Sequence, residues 1–163
     1  MVPLISLNWE QVSPLRVLFL CIGNSCRSQM AAGFARTYGA DVLSVQSAGL
    51  APAMTISSLT HKVMIEKNID IGSEFPKGLD MASPAEADLI VNMSGHSLPR
   101  KLDALVETWP IRDPIGESEE VYCEVRDQIE QRVMRLILKV RARKAPAAAE
   151  APRVDTRRRT PRQ

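Results

Sequence analysis

The eight residues at positions 21–28, Cys-Ile-Gly-Asn-Ser-Cys-Arg-Ser, constrain the fold of this chain more than any other segment. They follow a mostly apolar run at residues 16–20, whose length and β-branched and aromatic content predict a buried strand. They precede residues 29–38, where apolar side chains recur at helical spacing. The segment is therefore predicted to form a strand-to-helix turn at the carboxyl end of a strand, where open α/β sheets bind ligands.

This turn combines the residue types of an anion site with a nucleophile. A loop that enters a helix presents unpaired backbone N–H groups and the positive end of the helix dipole. Gly23 and Asn24 tolerate the left-handed backbone that such a loop needs. The positive field favours the thiolate form of Cys21, to which Ser28 can donate its hydroxyl, and Arg27 can direct two N–H donors at one tetrahedral oxyanion.

Taken singly, these residues have ordinary interpretations. A cysteine after a buried strand is usually a small core residue, and a single arginine is usually a surface cation. In a strand–loop–helix context, however, Cys21 and Arg27 together predict covalent attack by a thiolate on phosphate or a phosphate analogue.

The net positive charge of the chain comes from its C-terminal residues. A length of 163 residues with 45% hydrophobic residues fits one domain with one core. The formal net charge is +2, and residues 144–163 hold six cations and two anions, a balance of +4 that leaves −2 for residues 1–143. A slightly acidic body argues against a nucleic-acid partner.

The cysteines and histidines indicate a reduced protein without a bound metal. The odd number of cysteines, Cys21, Cys26 and Cys123, and the lack of a signal peptide or membrane-length apolar run predict a cytoplasmic protein that spans no membrane. His61 and His96 are distant in sequence from each other and from any Cys-x-x-Cys pattern, so no metal site is expected.

Alternating strand and helix patterns predict a parallel sheet covered on both faces. Strands are predicted at residues 16–20, 42–47, 87–93 and 107–112, and helices at residues 29–38, about 55–68, about 98–105 and about 118–143. The chain divides into an N-terminal extension at residues 1–14, a catalytic domain at residues 15–143 and a disordered basic tail at residues 144–163.

Asp113 is the candidate proton donor for the leaving oxygen. It follows the last short strand, and the carboxyl ends of parallel strands lie at the same edge of a sheet as Cys21. The alternative is that Asp113-Pro114 is only a common way to open a turn, and position alone leaves both interpretations open.

In these motifs the chain resembles the low-molecular-weight protein tyrosine phosphatase family, which also contains arsenate reductases. The resemblance lies in Cys21 and Arg27-Ser28, in Ser47-Ala48-Gly49, and in Asp113-Pro114 before a long final helix, and it covers about residues 15–142. The late Asp-Pro distinguishes this family from the larger tyrosine phosphatases, which place their acid before the cysteine loop.

The resemblance implies a three-layer α/β fold with a four-stranded parallel sheet flanked by helices and a flavodoxin-like topology. It implies a phospho-cysteine intermediate on Cys21, phosphate binding by Arg27, and Asp113 as acid and then base, with no cofactor. Cys26 matches a loop cysteine that can protect the nucleophile by a reversible disulfide. The rest of the oxyanion-binding loop would be Ile22, Gly23, Asn24, Ser25, Cys26 and Ser28.

Within the resemblance, the sequence favours a phosphatase acting on phosphate monoesters, with phosphotyrosine in proteins as one substrate class. The alternative is an arsenate reductase of the single-cysteine type. Gln29 after Ser28, and no aromatic residue at 51–54 or 115–116, are closer to the reductases. Residues 92–96, however, lack the two further cysteines of a thioredoxin-coupled relay, so reduction would need glutaredoxin, thioredoxin or a small thiol as partner. A non-catalytic oxyanion-binding protein ranks last, because Cys21, Arg27 and Asp113 are all present.

Overall fold

The computed structural model describes residues 14–98 and 102–144. Its elements in chain order are β1 (Leu15–Cys21), α1 (Arg27–Gly39), β2 (Leu43–Gly49), α2 (Ser58–Ile65), a short 3-10 helix (Pro84–Glu86), β3 (Leu89–Asn92), β4 (Leu105–Thr108) and α3 (Glu119–Lys144). The four strands form one parallel sheet in the order β2-β1-β3-β4. This is the predicted α/β fold, with the order at the start of a flavodoxin-like sheet.

The two faces of β1 belong to different apolar clusters, because successive side chains of a strand point to opposite sides. Val17 and Phe19 join the larger cluster, under α1, α2 and α3. Leu18 and Leu20 join a smaller apolar cluster, which also contains Leu79 and other residues near the 3-10 helix. A central strand buried on both faces explains the nearly continuous apolar run of the sequence.

The register places the predicted loop at the switch point of the sheet. Cys21, the last residue of β1, lies opposite Gly49 of β2, and Leu20 lies opposite Asn92 of β3. All three strands therefore end together at one edge, and α1 begins there at Arg27. Parallel sheets form their ligand crevices where neighbouring connections diverge in this way.

Two element predictions near β4 are wrong. Residues 98–105 were predicted to be helical, but residues 102–104 are not helical and Leu105 begins β4. Leu98 and Leu102 pack on the smaller apolar cluster without helical structure, so tertiary contacts override the pattern. The strand predicted at residues 107–112 lies at Leu105–Thr108 and ends before Pro110, which cannot donate to a strand ladder.

The other strands and helices agree with the sequence patterns apart from their ends. The final helix, predicted at about 118–143, is α3, and it includes Lys144, which the domain division assigned to the tail. The helix predicted at about 55–68 is shorter, because α2 ends at Ile65 and the chain turns at Asn68 with a φ of 58°. The predicted extension and basic tail otherwise lie outside the described residues.

Candidate active site

Cys21 lies buried at the end of β1, where Ser28 contacts its sulfur. The Cys21 Sγ and Ser28 Oγ atoms are 2.9 Å apart, and Asn24 Nδ2 donates to the same Ser28 oxygen at 2.7 Å. Because the Ser28 oxygen already accepts a hydrogen bond from Asn24, its own hydroxyl hydrogen is free to point at the sulfur. The Ser28 hydroxyl is therefore placed to donate a hydrogen bond to the Cys21 sulfur.

The Asn24 side chain holds the loop at residues 21–28 in place by hydrogen bonds. Asn24 is fully buried and adopts a φ of 49°, the left-handed backbone predicted for this position. Its Oδ1 accepts hydrogen bonds from the Lys77 backbone N–H at 3.0 Å and from Gln29 Nε2 at 3.1 Å. Gln29 Nε2 also lies 3.2 Å from the Asn24 carbonyl oxygen. The buried Gln29 side chain therefore helps to hold the loop, a structural role that the sequence pattern at this position did not indicate.

The loop carbonyls point away from the space above Cys21. The carbonyl oxygens of Cys21, Ile22 and Gly23 accept hydrogen bonds from the backbone N–H groups of three residues after β2, namely Leu50, Ala51 and Ala53, at 2.9–3.1 Å. Within the described part of the chain, the backbone N–H groups of residues 22–27 have no hydrogen-bond acceptor. A run of unpaired N–H groups at the start of α1 has the geometry that an anion-binding loop needs, and anion binding by this loop stays a prediction.

Ser25 anchors the far side of this loop. Its Oγ donates to the Thr55 carbonyl oxygen at 3.1 Å and accepts from the Ser57 N–H at 2.9 Å. Its carbonyl oxygen accepts from Thr60 Oγ1 at 2.9 Å. The segment before α2 and the first turns of α2 therefore hold the loop, a contact between distant parts of the chain that the sequence does not reveal.

Arg27 is buried, and the nitrogen atoms of its guanidinium contact different partners. Nη1 donates to the carbonyl oxygens of Met93 and Ile111, and Nη2 lies 3.3 Å from Asp113 Oδ2. The Nε atom is buried without a hydrogen-bond partner among the described residues. Nη1 is thus fixed by backbone carbonyls and Nη2 contacts Asp113, while Nε has no partner among the described residues. An unpartnered buried donor is costly unless a ligand accepts from it.

The structure brings Asp113 to this site through its contact with Arg27. The Asp113 side chain is partly exposed, and its Oδ1 accepts a hydrogen bond from the Ile115 N–H at 3.1 Å. The residue therefore opens a turn and also faces the guanidinium, and its role as proton donor stays a prediction. The carboxylate lies where it can exchange a proton with an oxyanion bound by Arg27.

Cys26 has a different environment from Cys21. Its buried thiol donates to the Tyr122 hydroxyl at 3.6 Å, and the Tyr122 and Ser57 hydroxyl oxygens are 2.9 Å apart. Burial raises the pKa of the Cys26 thiol, and it raises the pKa of Tyr122 to about 12. Cys26 is therefore held as a neutral thiol, and Tyr122 is a further contact residue that the sequence did not indicate.

Three sequence predictions concern parts of the molecule other than the loop: Cys123, metal binding and membrane spans. Cys123 lies on α3 with its thiol 3.9 Å from Glu66 Oε2, apart from the loop cysteines. Among the described residues, no three His, Cys, Asp or Glu side chains gather to hold a metal ion. No helix in the same part of the chain has both the length and the hydropathy of a membrane span.

Gly49 permits the contact between the loop and β2, and Gly49→Ala is expected to disrupt it. An added Cβ would lie 2.5 Å from the Ile22 carbonyl oxygen and 2.7 Å from the Asn24 nitrogen, both backbone atoms that cannot move independently. We expect a loss of about 1–3 kcal/mol in the free energy of unfolding, measured by urea titration, together with weaker phosphate binding. Gly72→Ala is the control, because its added Cβ would contact only the flexible Asp70 side chain. Equal effects of the two substitutions would contradict this interpretation.

The fold and this loop define an α/β protein with a buried cysteine in a strand-to-helix turn at the edge of a parallel sheet. The model of the low molecular weight phosphotyrosine protein phosphatase family matches residues 16–146. The chain therefore belongs to this family, as the sequence motifs indicated, and it is an enzyme of the phosphatase or arsenate reductase type.

Similar proteins of known sequence include two arsenate reductases. The chain is 36% identical over 129 residues to the glutaredoxin arsenate reductase of Synechocystis sp., a match that covers 77% of this chain and 98% of that protein. It is 35% identical over 125 residues to an arsenate reductase of Bacillus cereus, a match that covers 73% of this chain and 91% of that protein.

Solved structures with the same fold come from both branches of the family. An arsenate reductase in a phosphate-binding state superposes with a TM-score of 0.71 at 35% identity, over 77% of this chain and 98% of that chain. A low molecular weight protein tyrosine phosphatase from T. tengcongensis superposes with a TM-score of 0.67 at 28% identity, over 77% and 99% of the two chains.

Proposed function

We propose that this protein is an arsenate reductase that uses Cys21 as its nucleophile and an external thiol as its reductant. The proposal is carried by the similarity to the glutaredoxin arsenate reductase, which extends over 98% of that protein. It reverses the preference drawn from the sequence, where phosphatase stood first and arsenate reductase was the alternative. Arsenate is a tetrahedral oxyanion of the same shape class as phosphate, so the loop described above suits it.

In the proposed first step, the Cys21 thiolate attacks arsenic(V), and the bond from arsenic to one oxygen breaks. That oxygen leaves as water after it takes a proton from Asp113, which enters this step as the carboxylic acid and leaves it as the carboxylate. The backbone N–H groups of residues 22–27, with Nε and Nη2 of Arg27, bind the remaining oxygens as charge develops on them. Ser28 stabilises the thiolate before attack through the 2.9 Å contact with its sulfur. The product of this step is an arsenic(V) adduct on Cys21, with no change in oxidation state.

In the proposed second step, an external thiolate attacks the Cys21 sulfur. A sulfur–sulfur bond forms, the sulfur–arsenic bond breaks, and its electron pair stays on arsenic, which leaves as arsenite. A second thiol then attacks the mixed disulfide and restores Cys21. Two thiols are oxidised for each arsenic reduced. The reductant class is a glutathione-like small thiol or a glutaredoxin, and such chemistry suits the reducing cytoplasm expected from the sequence.

The case for an external thiol rests on the cysteines of the chain. The described part holds three free cysteines. Cys26 is buried, donates to Tyr122 and has a raised pKa, so it is a poor attacking thiolate at neutral pH. Cys123 lies on α3, with its thiol near Glu66 rather than in the loop. The thiol that resolves the arsenic adduct is therefore assigned to a partner, and the protective disulfide between Cys26 and Cys21 that the resemblance implies stays a prediction.

The phosphatase activity remains the second candidate, because the family model is that of a phosphatase and Asp113 lies beside Arg27. The same first step on a phosphate monoester would give a phospho-cysteine that water hydrolyses. Exposed aliphatic residues, Met54 and Ile115, occupy the segments where phosphotyrosine enzymes carry aromatics to hold a ring. This composition favours a small inorganic substrate over a phosphotyrosine side chain.

One experiment compares the two activities on the same preparation. The full chain is incubated with arsenate, glutathione and a glutaredoxin, and arsenite is measured beside the hydrolysis of an activated aryl phosphate. We expect one arsenite for each pair of thiols oxidised, at a rate at least about 10²-fold above that of phosphate release. Rapid aryl phosphate hydrolysis without arsenite formation would overturn the proposal in favour of the phosphatase.

A second variant tests the external thiol. Cys26→Ser should retain most of the arsenate reduction if the reductant supplies every thiol after Cys21. Loss of reduction in this variant, with phosphate binding retained, would show that Cys26 resolves the adduct inside the chain.

A further inference from the structure

Asn92 is a buried polar residue that takes no part in the chemistry proposed above. Asn92 is the last residue of β3 and is 6% exposed. It lies opposite Leu20, one residue before the nucleophile. Its backbone carbonyl accepts from the Trp109 N–H at 3.0 Å, so its main chain is fixed by the sheet. Among the described residues, the hydrogen bonds of its side chain all lie within the loop that follows β3.

The Asn92 side chain fixes this loop at two points. Its Oδ1 accepts from the Ser94 backbone N–H at 3.0 Å and from the Ser94 hydroxyl at 2.6 Å. Its Nδ2 donates to the His96 carbonyl oxygen at 2.8 Å. Gly95 has a φ of +76°, which lets the chain fold back so that His96 reaches Asn92.

The same loop holds Arg27. Arg27 Nη1 donates to the carbonyl oxygen of Met93, and that oxygen belongs to the peptide unit that joins Met93 to Ser94. In a trans peptide the carbonyl and the N–H point in opposite directions, and no cis peptide occurs among the described residues. One end of this peptide therefore faces the guanidinium while the other end faces Asn92 Oδ1.

We propose that Asn92 is a positioning residue that holds the Met93–Ser94 peptide with its carbonyl directed at Arg27, and that it thereby sets the orientation in which Arg27 binds the oxyanion. The Met93 N–H donates to the Leu20 carbonyl at 2.7 Å, so the peptide before Met93 is already fixed. The Met93–Ser94 peptide can still rotate, and the Asn92 oxygen restrains that rotation through the Ser94 N–H. The bond to the Ser94 N–H also polarises the Met93 carbonyl and strengthens its acceptance from Arg27.

This inference rests on the proposed function in one respect, the binding of an oxyanion by Arg27. It holds equally for arsenate reduction and for phosphate ester hydrolysis. The probe is therefore inorganic phosphate, and its dissociation constant is measured by calorimetry on the full chain. Asn92→Ala is expected to raise this constant about tenfold, the scale seen when outer partners of a binding group are removed. In an Arg27→Lys background, where no guanidinium is left to orient, the same substitution should change the constant by less than about twofold.

Ser94→Ala is the matched control. It removes the hydroxyl bonds to Asn92 and to the His96 N–H but leaves the Ser94 backbone N–H on Asn92 Oδ1. We expect it to change phosphate affinity by less than about threefold. An equal loss of affinity in Ser94→Ala and Asn92→Ala, or an undiminished effect of Asn92→Ala in the Arg27→Lys background, would overturn the inference.

Two further outcomes are distinguishable. If Arg27→Lys alone leaves phosphate affinity unchanged, the oxyanion site of the proposed function fails, and the inference fails with it. If Arg27→Lys weakens binding and Asn92→Ala does not, only the inference fails. Should Asn92→Ala not fold, Asn92→Leu, which is nearly isosteric and removes every polar atom of the side chain, gives the same comparison.

Discussion

Cys21→Ser is expected to lower turnover at least about 10⁴-fold while the protein keeps its affinity for phosphate. The nucleophile is lost, but the oxyanion site of the proposed function consists of the backbone N–H groups of residues 22–27 and the Arg27 guanidinium, none of which the substitution removes. Replacing a thiolate by a neutral hydroxyl also removes a negative charge beside the bound anion. Phosphate affinity should therefore be unchanged or higher.

The measurement pairs steady-state arsenite formation with phosphate calorimetry. Cys123→Ser is the matched control, since it makes the same atomic change at a free thiol on α3 and should leave both readouts within about twofold of the parent. Turnover by Cys21→Ser comparable to the parent would exclude Cys21 as the nucleophile. Loss of phosphate binding with loss of turnover would instead show that the sulfur is needed to shape the loop.

Arg27→Lys is expected to lower turnover about 10²–10³-fold and to weaken phosphate binding. A lysine ammonium has no planar fork, so it cannot contact the Met93 and Ile111 carbonyls and also present two donors to one oxyanion. At least one buried carbonyl loses its partner, which should also lower the free energy of unfolding by about 1–3 kcal/mol.

Arg126→Lys provides a matched control for this second substitution. Arg126 is also nearly buried, and it donates to the Val63 carbonyl at 2.9 Å and to Glu66 at 2.6 Å. The Arg126→Lys variant should lose a similar free energy of unfolding in a urea titration and keep its turnover. If Arg126→Lys lowered turnover as much as Arg27→Lys, the effect would be one of stability rather than of oxyanion binding.

The sequence predicts those parts of the molecule whose signal is local. α3 was placed correctly because its apolar stripe repeats over many turns. Residues 21–28 were placed correctly because a strand, a loop and a helix follow one another without interruption. Asp113 was indicated by a general rule, that parallel strands end at one edge, and the structure brings it within 3.3 Å of Arg27.

The sequence does not predict what depends on contacts between distant segments. The Gln29 side chain lies between Asn24 and the Phe75 carbonyl, and the two segments are separated by more than forty residues. The helix predicted at residues 98–105 failed for the same reason, since packing on the smaller apolar cluster and pairing of β4 with β3 decide that segment. A single sequence carries no record of such pairs, although the polar residues involved are visible in it.

The ties between the loop and the segment after β2 have a consequence for how stability is measured. The site draws on residues 21–28, on residues 50–60, on Lys77 and on the chain at Met93 and Ile111, so it exists only when most of the domain is folded. An oxyanion that binds this assembled site and not the unfolded chain adds RT ln(1 + [L]/Kd) to the apparent free energy of unfolding. Melting temperatures in phosphate and in phosphate-free buffer therefore belong to two different species, the complex and the free enzyme.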